Sequence, residues 1–192
     1  MPWAPDYLDA EVAADFVRAP EVDLDELATW CTAASRAIDK KTNRQFGRVD
    51  APAARTYRRP AMYDVVSGLW LVEVDDVQDV TGMTVGGVPV ADSGAVLLPD
   101  DAPERGKPYE RLGFTSYPRR PLVAVALWGW AEFPAGAVGA AKLQVSRWAS
   151  RRDSPYGVAG SPADGSELRL LARLDPDVAT TLAGLSRRRR VG

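Results

Sequence analysis

The chain contains no histidine, and this absence removes a large share of hydrolytic and metal chemistry. Without imidazole there is no Ser-His or Cys-His nucleophile pair, no imidazole metal ligand and no imidazole proton shuttle. The single cysteine, Cys31, excludes an internal disulfide, and its apolar helical surroundings suit a core thiol better than a nucleophile. No apolar run approaches the roughly eighteen residues of a membrane-spanning helix. The opening Met1-Pro2-Trp3-Ala4-Pro5-Asp6 lacks the positive start and apolar stretch of a signal peptide. A soluble chain made in a cytoplasm, with no membrane partner, is the expectation.

What is present is ordinary for a globular protein: 46% hydrophobic and 26% charged residues over 192 positions, enough for one domain with a real core. The net charge of -2 conceals an asymmetry. Setting aside Arg187-Arg188-Arg189-Arg190 leaves 20 basic against 26 acidic residues, or -6 for the body. A DNA-reading domain spreads Lys and Arg over a face, so an acidic body with a basic tip argues against sequence-specific DNA recognition as the main task.

Periodicity predicts helices at both ends and strands between them. A first helix is expected from about Asp6 to Val17, with Leu8, Val12 and Phe16 on one face. A second starts at Asp23, with Glu26 three residues on as in a capping box. Its apolar stripe is Leu24, Leu27, Cys31, Ala34 and Ile38; Lys40, Lys41 and Arg44 complement its dipole, and Gly47 supplies a stop. Strands are expected at Arg55 to Arg58, Leu69 to Val74, Ala95 to Leu98, Tyr109 to Thr115 and Leu122 to Trp128. Met83-Thr84-Val85, Gly86-Gly87 and Val88-Pro89-Val90 read as a hairpin, because paired glycines supply the positive backbone angles of a two-residue turn. A third helix runs from about Pro134 to Arg151, with Val138, Ala141, Val145 and Trp148 on one face. Leu168 to Leu174 fits strand or helix.

Each candidate chemical site has a stronger bland explanation. Asp75-Asp76 with Asp79, and Asp100-Asp101 with Glu104, lack the alternating oxygen ligands and closing Glu of a calcium loop, and read as solvated turn carboxylates. Gly82 to Gly87 is glycine-rich but precedes no Lys-Ser/Thr and no helix, so a phosphate cradle does not fit. Trp128 and Trp130 flank a glycine at a strand end, and with Trp148 they suit core or subunit packing better than a base-stacking platform. No catalytic residue, metal ligand or cofactor site emerges.

The last third is the most informative segment. A Pro/Gly-rich connector from Ser154 to Gly165 leads to a short helix with Asp175 as N-cap, Pro176 at its first position and Asp177 in its first turn. Val178, Leu182 and Leu185 give this helix one narrow apolar stripe, suited to docking on a partner, and Arg187, Arg188, Arg189 and Arg190 follow it. Four adjacent guanidiniums pair with carboxylates or phosphates, and both contacts weaken with salt. A solubilising, unstructured end is the competing reading.

Several of these segments occur in an order that resembles the head-to-tail connector (head-completion adaptor) family of tailed bacteriophages. They are Trp128-Gly129-Trp130, Phe133-Pro134, the Ala-rich helix to Arg151-Arg152, Ser154-Pro155-Tyr156-Gly157-Val158, and Leu174-Asp175-Pro176-Asp177-Val178 with the Leu185-to-Arg190 end. Tyr7-Leu8, Ala37-Ile38-Asp39 and Thr42-Asn43-Arg44-Gln45-Phe46 are similar to that family's opening, while Ala51 to Pro121 matches only as a generic β insertion.

The resemblance implies a non-enzymatic virion subunit without cofactors. It would form a homo-oligomeric, twelve-fold ring beneath the portal protein at the head-tail junction, assembled in the host cytoplasm. The ring would offer a platform to the stopper or tail-completion protein and pass packaged double-stranded DNA, held non-specifically, through its lumen. Residues from about Asp175 to Arg190 would be the portal-facing arm. The expected fold is α+β and mainly helical: a small helix bundle, a β-strand and hairpin insertion in the middle, and a C-terminal helix-plus-tail arm. Its parts are residues 1–50, N-terminal helices; 51–128, β-rich insertion; 129–153, core helix; and 154–192, arm. Two alternatives stand beside it: a small DNA-binding protein using the arginine cluster, and a carboxylate-dependent enzyme.

Overall fold

In the computed structural model, which describes residues 4–17, 22–152, 158–159, 168–169 and 176–187, the strongest helical pattern becomes the longest helix. Helix α2 spans Leu24–Thr42; the Asp23 side chain accepts the Asp25 amide at its start, and Lys40 and Lys41 occupy its last turn. Leu27, Cys31, Ala34 and Ile38 are buried along one stripe, whereas Leu24 is half exposed. The helix stops at Asn43, whose φ of 55° is left-handed, and not at Gly47 as the sequence suggests. Asparagine tolerates that conformation through its short polar side chain.

The other helices of this unit are shorter or packed differently from their sequence pattern. Helix α1 covers Ala10–Val17 and begins four residues later than expected, because Asp9 caps it by accepting the Glu11 amide at 2.8 Å. Its inward residue is Ala13; Val12 and Phe16 face out. Tyr7 and Leu8, which precede the helix, are buried instead, and the Tyr7 amide donates to Ser35 Oγ at 2.9 Å. Helix α3 covers Ala135–Arg152 and packs on α1, α2 and α4 (Pro176–Ala183). Its inward face is made of Ala137, Ala140, Ala141 and Val145, a row of small side chains that permits close helix approach. Val158–Ala159 and Leu168–Arg169 pair as a two-residue antiparallel ladder, β8 with β9. The rest of the expected 154–165 connector and of Leu168 to Leu174 lies outside the described residues.

The middle of the chain is a sheet of seven antiparallel strands. In chain order they are β1 Ala53–Tyr57, β2 Met62–Asp64, β3 Leu69–Val85, β4 Val88–Pro89, β5 Val96–Leu98, β6 Tyr109–Phe114 and β7 Leu122–Trp128. The order is β1-β7-β3-β6-β5, with β2 and β4 attached to the ends of β3. Gly86 and Gly87, with φ of 62° and 84°, turn β3 into β4 and pair Val85 with Val88, as the paired glycines predict. The core gathers Val72, Val77, Met83, Leu112, Ala124 and Trp128.

The expected mainly helical class is therefore wrong. Among the described residues the protein is a mixed α/β chain with a seven-stranded antiparallel sheet and four α-helices, and is 34% helical. The error arises at β3. Its 17 residues run through Asp75-Asp76, Asp79 and Gly82, which resemble turns; register shifts between Glu73 and Val77, and again near Asp79, absorb them as bulges. Those bulges let one strand pair with β6 along its first half and with β7 along its second. The chain divides into two compact units, one drawn from the described residues of Pro5–Gln45 and Phe133–Gly192, the other from those of Met1–Ala4 and Phe46–Glu132.

Candidate functional site

Arg187, the first of the four terminal arginines, has a defined place in the helical unit. Val178 and Leu182 of α4 are fully buried, and their burial contributes about 1.5–3 kcal/mol each. Leu185 is half-buried beside Gly136 of α3, where a Cβ would lie 3.3 Å from the Leu185 Cδ1. The Arg187 amide then donates to the Thr42 carbonyl at 2.8 Å, and Thr42 is the last residue of α2. Arg187 thus lies next to the basic end of α2, where Lys40 and Lys41 are exposed.

This placement revises the role of the apolar stripe. Leu182 is not available for docking on a partner, because it is fully buried where α4 packs on α2 and α3; Asp177 is exposed in the first turn of α4, and Arg187 is half-buried. Asp175, Arg188, Arg189 and Arg190 lie outside the described residues. The narrow stripe, which by sequence suits docking on a partner, serves here as the core face of α4. The small residues of α3 make it sufficient, since they bring the helix axes close enough for two or three side chains to fill the gap.

Trp128 and Trp130 are likewise committed within the chain, in the β unit, and so do not supply subunit packing. Trp128 is fully buried and its indole donates to the Ala53 carbonyl at 2.6 Å. Trp130 donates to the Asp76 carboxylate at 2.9 Å and meets Phe46 edge-on at 5.2 Å. Gly129 between them bridges to Arg48, and the flanking hydrogen bonds run from the Val49 amide to the Trp128 carbonyl and from the Trp130 amide to the Gly47 carbonyl. Trp148 is half-buried on α3.

The carboxylate clusters also resolve into structural roles. Asp75 pairs with Arg55 at 2.8 Å and accepts the Tyr57 hydroxyl at 3.1 Å; burial pushes that phenol well above its usual range. Asp76 is the buried acceptor for Trp130. Asp79 accepts the Thr81 amide, and hydrogen bonds from Thr81 hold its carboxyl below the ordinary value. Asp101 pairs with Arg105. Among the described residues no group of three or more Cys, Asp or Glu is placed to hold a metal ion.

In the helical unit, Asp39 accepts the Tyr7 hydroxyl and lies 3.3 Å from the Arg36 guanidinium. Burial nevertheless raises its carboxyl above the ordinary value, against the opposing pull of Tyr7 and Arg36. Cys31 is buried and pushed up to about 11 by desolvation, with Asp6 and Asp9 adding to the shift. Such a thiol stays protonated at neutral pH and is a poor nucleophile. No helix among the described residues is long and apolar enough to cross a membrane. No protein-family model matches this chain, and no curated protein matches its sequence.

Proposed function

We propose that this chain is a structural subunit of a head-to-tail connector ring in a tailed bacteriophage. It docks beneath the portal, offers a platform to the stopper or tail, and lets double-stranded DNA pass through its lumen. The ring is twelve-fold and stands at the head-tail junction of the virion. The sequence resemblance supports this reading at both ends of the chain, and the carrying observation is the Arg187-to-Thr42 hydrogen bond. That bond places Arg187, the first of the four arginines, at the end of α2 that carries Lys40 and Lys41. An arginine cluster suits a partner surface carrying carboxylates, where charge-assisted bonds are strong and specific.

In this reading α4 and the residues through Arg187 serve the helical unit, and the segment from Arg188 onward is the portal-seeking part. Truncation after Arg187 is expected to leave a folded subunit that no longer caps portal rings. Negative-stain microscopy of the chain mixed with purified portal tests this: normal capping by the truncation sinks the arm assignment, and a full-length chain that never joins portal sinks the connector. The exposed lysines at the same corner favour one second reading, a polyanion grip on duplex DNA. That reading requires tight, steeply salt-dependent duplex binding by the isolated chain.

A further inference from the structure

Two exposed surfaces of this chain carry opposite charge together with unburied apolar side chains. The first is one end of the β unit. Tyr57 at the end of β1 pairs with Leu122 at the start of β7, so Arg58-Arg59 and Arg119-Arg120 leave the sheet side by side. All four are exposed, and among the described residues none forms an ion pair. An aromatic row adjoins them. Tyr63 and Trp70 are register partners across β2 and β3 with centroids 5.2 Å apart, Tyr117 meets Trp70 edge-on at 4.9 Å, and the Arg120 guanidinium stands 5.7 Å from the Tyr117 ring. At the tip of the β2-to-β3 turn, Val65 and Val66 are 83% and 95% exposed.

This composition favours a protein over a nucleic acid. Tyr, Trp, Arg and exposed aliphatics without lysine are the residues that dominate buried protein interfaces. Phosphate tracks need no aliphatic tip, and rings that meet edge-on or tilted offer no parallel platform to bases. The partner must be acidic and partly apolar.

The second surface answers that description. The first 35 residues hold eight acidic residues and one basic residue. Asp9, Glu11 and Asp15 are exposed along the start of the helical unit, and Val12 and Phe16, the latter with Lys142 5.8 Å from its ring, are about half exposed. Leu24, 50% exposed, stands between the exposed Asp23 and Asp25.

We infer that the basic, aromatic end of the β unit in one copy docks on the acidic surface of α1 and the start of α2 in a second copy of this chain. The two patches come from different parts of the subunit, so the contact either adds copies in one direction or closes reciprocally between two copies. Closure of that series into a ring rests on the connector reading; the contact itself does not.

Sedimentation equilibrium of the full chain at low ionic strength, up to about 0.5 mM, tests the inference. Concentration-dependent association is expected, weakened about tenfold or more by R119E/R120E and equally by D9K/E11K/D15K. Placing both sets of reversals in one chain should restore it, because the complementarity is inverted on both sides. Circular dichroism checks the fold of each variant; if a reversal fails to fold, R119A/R120A and D9N/E11Q/D15N replace it with smaller expected losses. A strictly monomeric wild-type chain overturns the inference, as does association indifferent to both reversals. So does loss of oligonucleotide binding in R119E/R120E with self-association unchanged. Closed dimers built on these surfaces would keep the inference and end the ring reading, whereas portal-capping rings indifferent to both reversals would do the opposite.

Discussion

The Asp76 carboxylate accepts the indole N-H of Trp130 at 2.9 Å while the Asp76 carbonyl accepts the Gly129 amide at 2.6 Å, so one buried residue of β3 holds two consecutive residues after β7. Asp76→Ala removes an acceptor from a buried indole donor and leaves it unsatisfied, which costs about 1–3 kcal/mol. Asp76→Asn keeps an acceptor and should cost less than the alanine variant. Urea unfolding of both variants and of Trp130→Phe measures the ranking; an alanine variant as stable as wild type would remove Asp76 from this role.

Gly129 is bound to its place by space as well as by backbone angle. A Cβ there would lie 2.0 Å from the Gly47 carbonyl oxygen and 2.5 Å from the Arg48 Cα, and the residue has a φ of 114°. Backbone atoms cannot swing away as a side chain can. Gly129→Ala is expected to cost at least about 3 kcal/mol, combining strain with a displaced Arg48 bridge. A thermal melt within a degree or two of wild type would show that the Gly47-Arg48 segment gives way freely.

The difference between what the sequence revealed and what it hid is one of range. The Gly86-Gly87 hairpin and α2 were legible because their causes are local: a turn needing positive φ, and an apolar stripe with complementary charges at its ends. β3 was broken in two on paper because Asp75 and Asp76 resemble a turn until their partners are known, and those partners, Arg55 and Trp130, are distant in sequence. The same holds for Arg58-Arg59 and Arg119-Arg120. They are unremarkable pairs until the β1-to-β7 register sets them side by side.

Cys31 provides a reporter for the helical unit. With its thiol pushed up to about 11 by burial, about one molecule in a thousand carries a thiolate at pH 8, and the side chain is 1% exposed. Alkylation by iodoacetamide in the native protein should be at least a hundredfold slower than in denaturant, with a rate that follows opening of the helices. Fast labelling of the folded chain would mean that α2 is not packed as described.

Asp39 should give stability an acid-side trend opposite to that of most carboxylates. Burial raises its folded-state value, despite the Tyr7 and Arg36 contacts, so just above the ordinary carboxylate range the folded state retains a proton that the unfolded state has lost. Stability contributed by this group is therefore complete below the unfolded value and declines as pH rises through the folded one. Asp39→Asn, which still offers an oxygen to Tyr7, should remove that decline. Melting temperatures from about pH 3.5 to 7 check this; a pH profile identical in both proteins would show that the group titrates normally.

Leu182 decides whether α4 is a docking element or part of the subunit. The side chain is fully buried, and α4 packs on α2 and α3. Leu182→Ala should therefore destabilise the free, unassembled chain by about 2–4 kcal/mol, because the cavity can collapse only as far as the small α3 residues allow. Native-state hydrogen exchange should show α4 losing protection first, together with the Arg187 amide that donates to Thr42. A docking helix predicts the reverse: unchanged stability in the free chain and a loss confined to portal binding. Because Leu182 holds α4, and with it the Arg187-to-Thr42 bond, in place, L182A should mimic the truncation in portal capping although every arginine is still present.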